Sequence, residues 1–189
     1  MRTILIIGGA RGGKSHFAQE FALKLGKPVL FVATAEAGDE EMQHRIEEHQ
    51  RTRPPTWSTL EVTTHVGSQI LQGIGGMEVV IVDCITLLVS NIFGRCSNPT
   101  SELMDVSLIE KEVMAEIDEL VECINQAKAS FIIVTNEVGT GLVPANRVGR
   151  LYRDLLGNTN QILAQRVDEV YLMVAGLPVL MKPAGDFGA

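Results

Sequence analysis

The sequence predicts an α/β protein, a three-layer sandwich in which a mostly parallel sheet carries helices on both faces. Three observations predict it. Short β-branched runs alternate with longer stretches of helical period, the order that builds right-handed strand–helix–strand crossovers. The runs are apolar at nearly every position, as strands buried on both faces must be. A glycine-rich loop closes the first run and opens the first helix. The chain has 189 residues, 46% hydrophobic and 21% charged, enough for one domain, residues 1–189, with a sizeable core.

The elements follow in order. Residues 3–7 read as the first strand, 14–25 as a helix and 29–33 as the second strand. Residues 40–51 read as a charged helix with Met42 and Ile46 as a narrow apolar pair. The whole of 39–76 is expected to be this helix plus an irregular insertion at the active site, because 53–76 holds Pro54-Pro55 and the only tryptophan, Trp57. Residues 79–83 are a third strand ending on a carboxylate. Residues 102–127 place Leu103, Val106, Ile109, Val113, Ile117, Leu120, Val121 and Ile124 close to a 3.6 period. A fourth strand at 131–135, a helix at 146–166 and a fifth strand at 170–174 come next. Residues 177–182 add an edge strand through a hairpin at Gly176, and 183–189 read as a frayed tail.

Composition narrows function. Lys and Arg number 16 against 23 Asp and Glu, a net charge of −7, which argues against nucleic-acid and polybasic membrane partners. Cys84, Cys96 and Cys123 form no CxxC pair, so neither a disulfide framework nor a structural zinc site is expected. No leader and no long apolar run is visible; a cytoplasmic protein without membrane insertion is expected.

Gly8-Gly9-Ala10-Arg11-Gly12-Gly13-Lys14-Ser15 fits G-x-x-x-x-G-K-[ST], the P-loop pattern, between a buried strand and a helix. Backbone N–H groups and the helix N-terminus cradle phosphate, Lys14 reaches the β- and γ-phosphates, and the Ser15 hydroxyl suits Mg²⁺. Asp83, ending an apolar strand, suits the same metal. The fold expected is therefore P-loop NTPase-like. In the charged helix, Glu41, Arg45 and His49 stand at i, i+4 and i+8, with Arg51 and Arg53 beyond. Spacing alone favours a solvated, salt-bridged helix over a nucleophilic histidine. His16, His44 and His65 belong to no metal-ligand cluster. The loop 136–144 is either a ligand loop or a plain β–α turn. Arg147, Arg150 and Arg153 form a basic stripe for phosphate, for acidic residues or for a neighbouring subunit.

Four stretches together carry a resemblance: GGARGGKS, ATAEAGDEEMQHRIEEHQRTRPPTW, VDCIT with LVSN, and NEVGTGLVPANRVGRLYRDLLGNTNQILAQRVDEVYLMVAGLPV. Over residues 4–182 the chain resembles the bifunctional adenosylcobinamide kinase/adenosylcobinamide-phosphate guanylyltransferase family of cobalamin biosynthesis. The resemblance implies that His49 is the guanylylated residue, reversing the preference from spacing. It places nucleotide contacts on 8–15, on Ala33, Thr34 and Ala35, on Gln50, Arg51, Thr52 and Arg53, and on Glu61 and Asp83. It implies GTP and ATP as substrates, adenosylcobinamide and its phosphate as acceptors, and a trimer. Gly12 and Ala35 stand where serine is common, and Asp83 where glutamate also occurs. Two other readings remain open at this point: a plain P-loop small-molecule kinase with an idle histidine, and a RecA-like nucleotide-switched assembly subunit.

Overall fold

The computed structural model describes residues 1–38, 40–96 and 105–185. The first half of the chain runs β1 (Thr3–Gly8), α1 (Lys14–Leu25), β2 (Val29–Ala33), α2 (Glu40–Thr52), β3 (Ser58–Glu61), α3 (Val66–Gly73) and β4 (Val79–Asp83). The second half runs α4 (Ile85–Cys96), α5 (Val106–Gln126), β5 (Ser130–Asn136), α6 (Arg147–Arg166), β6 (Glu169–Val174) and β7 (Leu177–Lys182). The seven strands form one sheet in the order β3-β2-β4-β5-β1-β6-β7. All neighbours are parallel except the β6–β7 hairpin. This is the expected three-layer α/β sandwich with a mostly parallel sheet.

The continuous apolar runs follow from burial on both faces. Leu5, Val32, Val80, Val82 and Ile133 point into the larger core, under α3, α4, α5 and α6. Their neighbours Ile4, Ile6, Phe31, Ile81 and Ile132 point into the smaller one, under α1. Each fully buried Leu, Ile, Val or Phe contributes about 1.5–3 kcal/mol of transfer free energy, and the buried polar residue near the end of β5, Thr135, is paired with Asn160.

One expectation is corrected, and a stretch to which the sequence assigned no element gains one. Residues 53–76 are not an irregular insertion: they supply the edge strand β3, parallel to β2, and helix α3, whose Val66 and Ile70 are fully buried. The apolar stretch after Asp83 is a helix, α4, with Ile85, Leu88, Val89, Ile92 and Phe93 buried at i, i+3, i+4, i+7 and i+8. Helix α5 begins at Val106 behind its cap Asp105, which accepts a hydrogen bond from the Leu108 N–H at 3.1 Å. The earlier start expected at 102, and Leu103, lie outside the described residues, as do 186–189 of the expected tail. Asn146 is the cap of α6 and not its first residue; its side chain accepts from the Gly149 N–H at 2.6 Å. The hairpin between β6 and β7 turns on Ala175 and Gly176, both at positive φ (52° and 80°), the requirement of a type I′ turn. No described helix is long and apolar enough to cross a membrane.

Candidate active site

The C-terminal edge of the sheet collects the predicted residues. β1 enters the phosphate loop at Gly8, where an added Cβ would stand 2.5 Å from the Met173 carbonyl oxygen of β6. Gly13, at φ 85°, lies so close to the hairpin that a Cβ would come within 3.1 Å of the Gly176 Cα. The loop is closed by Gly12 N–H donating to the Gly9 carbonyl at 3.2 Å, and is tied to the hairpin by Gly176 N–H donating to Gly12 at 3.3 Å. Helix α1 starts at Gly13 with no side-chain cap, so its first N–H groups remain available to an anion. Lys14 is 7% exposed and its Nζ donates to the Gly9 carbonyl at 2.7 Å. Burial pushes this ammonium below the usual lysine range, while Cys84 and Asp83 pull it back up.

Asp83 ends β4 beside Ala33 of β2 and Val134 of β5. Burial pushes its carboxyl above the usual range; the Ser15 hydroxyl bonded to it, His49, Arg53 and Lys14 act in the opposite direction. Its Oδ2 is buried and makes no hydrogen bond among the described residues. A buried carboxylate oxygen without a partner, next to the Ser15 hydroxyl, fits a hard divalent cation that takes its other ligands from water and phosphate. Among the described residues no three His, Cys, Asp or Glu side chains gather into a protein-only metal site.

The second group of residues comes from α2 and β3. His49 is exposed in the last turn of α2, its carbonyl accepting from the Thr52 hydroxyl at 3.0 Å. Gln50 donates to Glu61 of β3 at 2.9 Å. Arg53 lies with its guanidinium carbon 4.0 Å from the centre of the Phe31 ring, and Trp57 stacks on Phe31 at 6.5 Å. Burial lowers the Arg53 pKa against the pull of Asp83 and Glu61, and its Nε is buried without a partner among the described residues. A shallow pocket of about 240 Å³ opens between Arg53, Trp57, Thr59 and Glu61.

Some predicted residues serve otherwise. The Thr34 hydroxyl donates to the Cys84 carbonyl at 2.7 Å and accepts from the Cys84 N–H at 2.8 Å, while Asn91 of α4 donates to the Thr34 carbonyl at 2.8 Å. Thr34 is fully buried and locks the ends of β2 and β4 together. Ala33 is buried beside Asp83, and Ala35 is half-buried beyond it. Among the described residues Arg51 pairs with Glu47, at 3.7 Å on the exposed side of α2. The side chains of Glu41 and Arg45 lie outside the described set. His16 pairs with Glu20 and His65 with Glu119. Arg150 binds the carbonyls of Pro144 and Ala145. Sequence reasoning missed Asn91, Phe31 and the stacking role of Trp57, none of which has a local signature. Cys84, beside Lys14, is kept a protonated thiol, its pKa pushed up to about 12 by burial and then by Asp83.

The cobinamide kinase / cobinamide phosphate guanyltransferase family model matches residues 4–181. The chain belongs to this family. The bifunctional adenosylcobalamin biosynthesis protein CobU of Escherichia coli K12 is 39% identical over 180 residues, covering 95% of this chain and 99% of the relative. CobP of Pseudomonas aeruginosa, described in the same words, is 36% identical over 178 residues, with 94% and 96% covered. A solved structure of a Pyrococcus horikoshii OT3 protein superposes with a TM-score of 0.56 over 98% of this chain and 88% of that one, at 9% identity, a likeness of fold alone. As a CobU-family enzyme, the chain is a transferase with a kinase and a guanyltransferase activity, both using nucleoside triphosphates.

Proposed function

We propose that the two activities use one site. In the kinase step the γ-phosphoryl group passes to the hydroxyl of the aminopropanol arm of adenosylcobinamide. The N–H groups of residues 9–15 and Lys14 hold the phosphates and balance the charge that develops on transfer. Ser15 and Asp83 would hold Mg²⁺, which supplies further charge neutralisation. In the second step His49 attacks the α-phosphorus of GTP, pyrophosphate leaves, and a guanylyl-histidine forms; a phosphate oxygen of adenosylcobinamide phosphate then displaces the histidine to give adenosylcobinamide-GDP. Two displacements replace a direct meeting of two polyanions. Gln50, Arg53 and Glu61 line the GTP side, and Arg53 is held for it by Phe31 and Trp57.

The observation that carries this reading is the position of Asp83. It accepts from Ser15 of the phosphate loop and also lies in the field of His49 and Arg53, so the end of β4 joins both groups of residues. The resemblance also implies a cytoplasmic trimer. Exposed Leu177, Met181 and Leu142, at 68%, 60% and 97%, are surface that such an assembly would bury.

The test uses GTP labelled on the α-phosphate. Wild type is expected to retain an acid-labile, alkali-stable label with release of an equal amount of pyrophosphate, because a P–N bond breaks when its nitrogen is protonated. His49→Ala loses the label and keeps its kinase rate within about threefold, since γ-transfer needs no histidine adduct. A label that persists in His49→Ala moves the nucleophile elsewhere. No label in wild type, with the kinase intact, leaves a plain kinase.

A further inference from the structure

We propose that Glu137 is the base of the kinase step, the carboxylate that takes the proton from the acceptor hydroxyl; this rests on the reading of function above. Glu137 follows β5 at the edge where β5 borders the phosphate loop. Its N–H donates to the carbonyl of Gly8, the loop's first residue, at 3.0 Å. The carboxylate is turned back on its own loop: Oε1 accepts from the Gly139 N–H at 2.5 Å. A Cβ on Gly139 would stand 2.8 Å from that oxygen, so any other residue there displaces the carboxylate. Oε2 makes no hydrogen bond among the described residues. Of the other two carboxylates of the site, Asp83 accepts from Ser15 and has its second oxygen buried where it suits the metal, and Glu61 accepts from Gln50.

The ground under Glu137 is fixed by contacts from two helices, α4 and α6. Thr86 of α4 accepts from the Asn136 N–H at 2.8 Å, and Tyr152 of α6 donates to the Thr86 carbonyl at 2.8 Å. Asn160 of α6 donates to the Asn136 carbonyl at 3.0 Å and accepts from the buried Thr135 hydroxyl at 2.8 Å. A base held this firmly needs no reorganisation when its substrate arrives.

Beside Gly139 lies a pocket of about 310 Å³, lined by Arg153, Gly157, Asn158 and Gln161 of α6. Gly157 sits in the middle of a helix at ordinary φ, with nothing within 4 Å of where its Cβ would be. Neither packing nor backbone requires glycine there, and glycine in a helix costs about 0.5–1 kcal/mol relative to alanine. The missing side chain leaves the pocket floor open. Two carboxamides, with Arg153 and the Asp154 carboxylate paired to it at 3.6 Å, surround that floor and suit an amide-linked alcohol arm, and Glu137 bonds both Gly8 of the phosphate loop and Gly139 of the pocket. The acceptor O–H gives its proton to Glu137 Oε2 while its oxygen bonds the γ-phosphorus. The bond from that phosphorus to the β–γ bridging oxygen breaks, and the electron pair leaves with the nucleoside diphosphate.

The experiment compares full-length wild type, Glu137→Gln and Glu137→Asp with adenosylcobinamide, ATP and Mg²⁺, and with α-labelled GTP. In Glu137→Gln the kinase kcat is expected to fall at least 100-fold, the KM for ATP to stay within threefold, and the acid limb of the kinase pH profile to flatten. Histidine guanylylation should stay within threefold. Glu137→Asp, which keeps the charge on a shorter arm, should recover at least tenfold of the lost kcat with the acid limb restored. A Glu137→Gln kinase within threefold of wild type overturns the proposal. So does a proportional loss of both activities with an early thermal melt and no rescue by Glu137→Asp, which marks a structural role. A wild type that does not phosphorylate adenosylcobinamide overturns the function reading and this proposal with it.

Discussion

Two helix N-termini in this molecule meet the same electrostatic demand in opposite ways. At α3 the free N–H groups are filled from within: Glu116 of α5, only 5% exposed, accepts from His65 and Val66 at 2.8 and 2.7 Å, and Glu119 accepts from Ser68 at 2.7 Å. At α1 there is no acidic residue in the first turn and no cap, and the first helical residue is a buried lysine. A cation at the positive end of a helix dipole is the wrong sign for stability. The difference shows what each end is for. The α3 terminus is finished when the chain folds, whereas the α1 terminus is finished only when an anion from outside arrives.

The largest effect expected from breaking this contrast is at Lys14. Lys14→Ala should lower kinase turnover about 10³-fold, some 4 kcal/mol of lost charge stabilisation, and should abolish the rise in Tm that pyrophosphate gives wild type. A folded variant with wild-type turnover and the same rise would place the phosphate site elsewhere. Asp83→Asn comes next, with a loss of about 10²-fold in Mg²⁺-dependent turnover. It should also melt higher than wild type near neutral pH in the absence of ligand. The sign follows from burial: a carboxyl whose folded pKa is raised binds its proton more tightly in the native state, so stability falls as pH rises from the unfolded pKa through the folded one. The advantage of Asn should therefore shrink as pH approaches about 4, near the ordinary Asp value. Paired melts across pH 4–8 check this.

At α3 the expected losses are in stability alone. Glu116→Ala strands the buried Val66 N–H and the part-buried His65 N–H and should cost about 2 kcal/mol, with KM for nucleotide unchanged; urea titration and steady-state kinetics read the two. Glu119→Gln is the smallest. Burial pushes the Glu119 carboxyl up, but its bonds to Ser68 and His65 outweigh that and leave it below the usual range. Its contribution is present above the unfolded pKa and is lost as pH falls through the folded one. On this half-exposed side chain it should amount to less than about 1 kcal/mol, seen as a flatter acid limb in the Tm–pH curve of the variant.

The phosphate loop and Asp83 were legible because their chemistry is local: eight consecutive residues, and a carboxylate ending an apolar run. Helix α4 was hidden by that same run, since a short apolar stretch after a strand reads equally as more strand. β3 was hidden because it is an edge with mostly exposed residues, so Ser58–Glu61 has no hydrophobic signature. His49 was illegible from spacing because α2 has no buried residue among those described and reads as a solvated helix all round. Only the family's own sequence pattern singled it out. The lock of Thr34, Cys84 and Asn91 and the pinning of Glu137 join residues 24 to 66 positions apart, which no window on the sequence can pair.

The contact of Gly12 with Gly176 also sets a timetable. β1 is made well before its partners β5 and β6, which are Ser130–Asn136 and Glu169–Val174, and its loop rests on the turn that follows β6. On a ribosome releasing the chain from its N-terminus, the first strand must wait for the last ones. The phosphate cradle is encoded by residues 8–15 and completed by the turn after β6. Closing a loop that spans nearly the whole chain costs entropy that no local contact near Gly12 repays. A nascent chain that stops before residue 176 carries the whole binding motif without the surface that shapes it. The loop thereby waits on the β6–β7 turn, made long after the residues it supports.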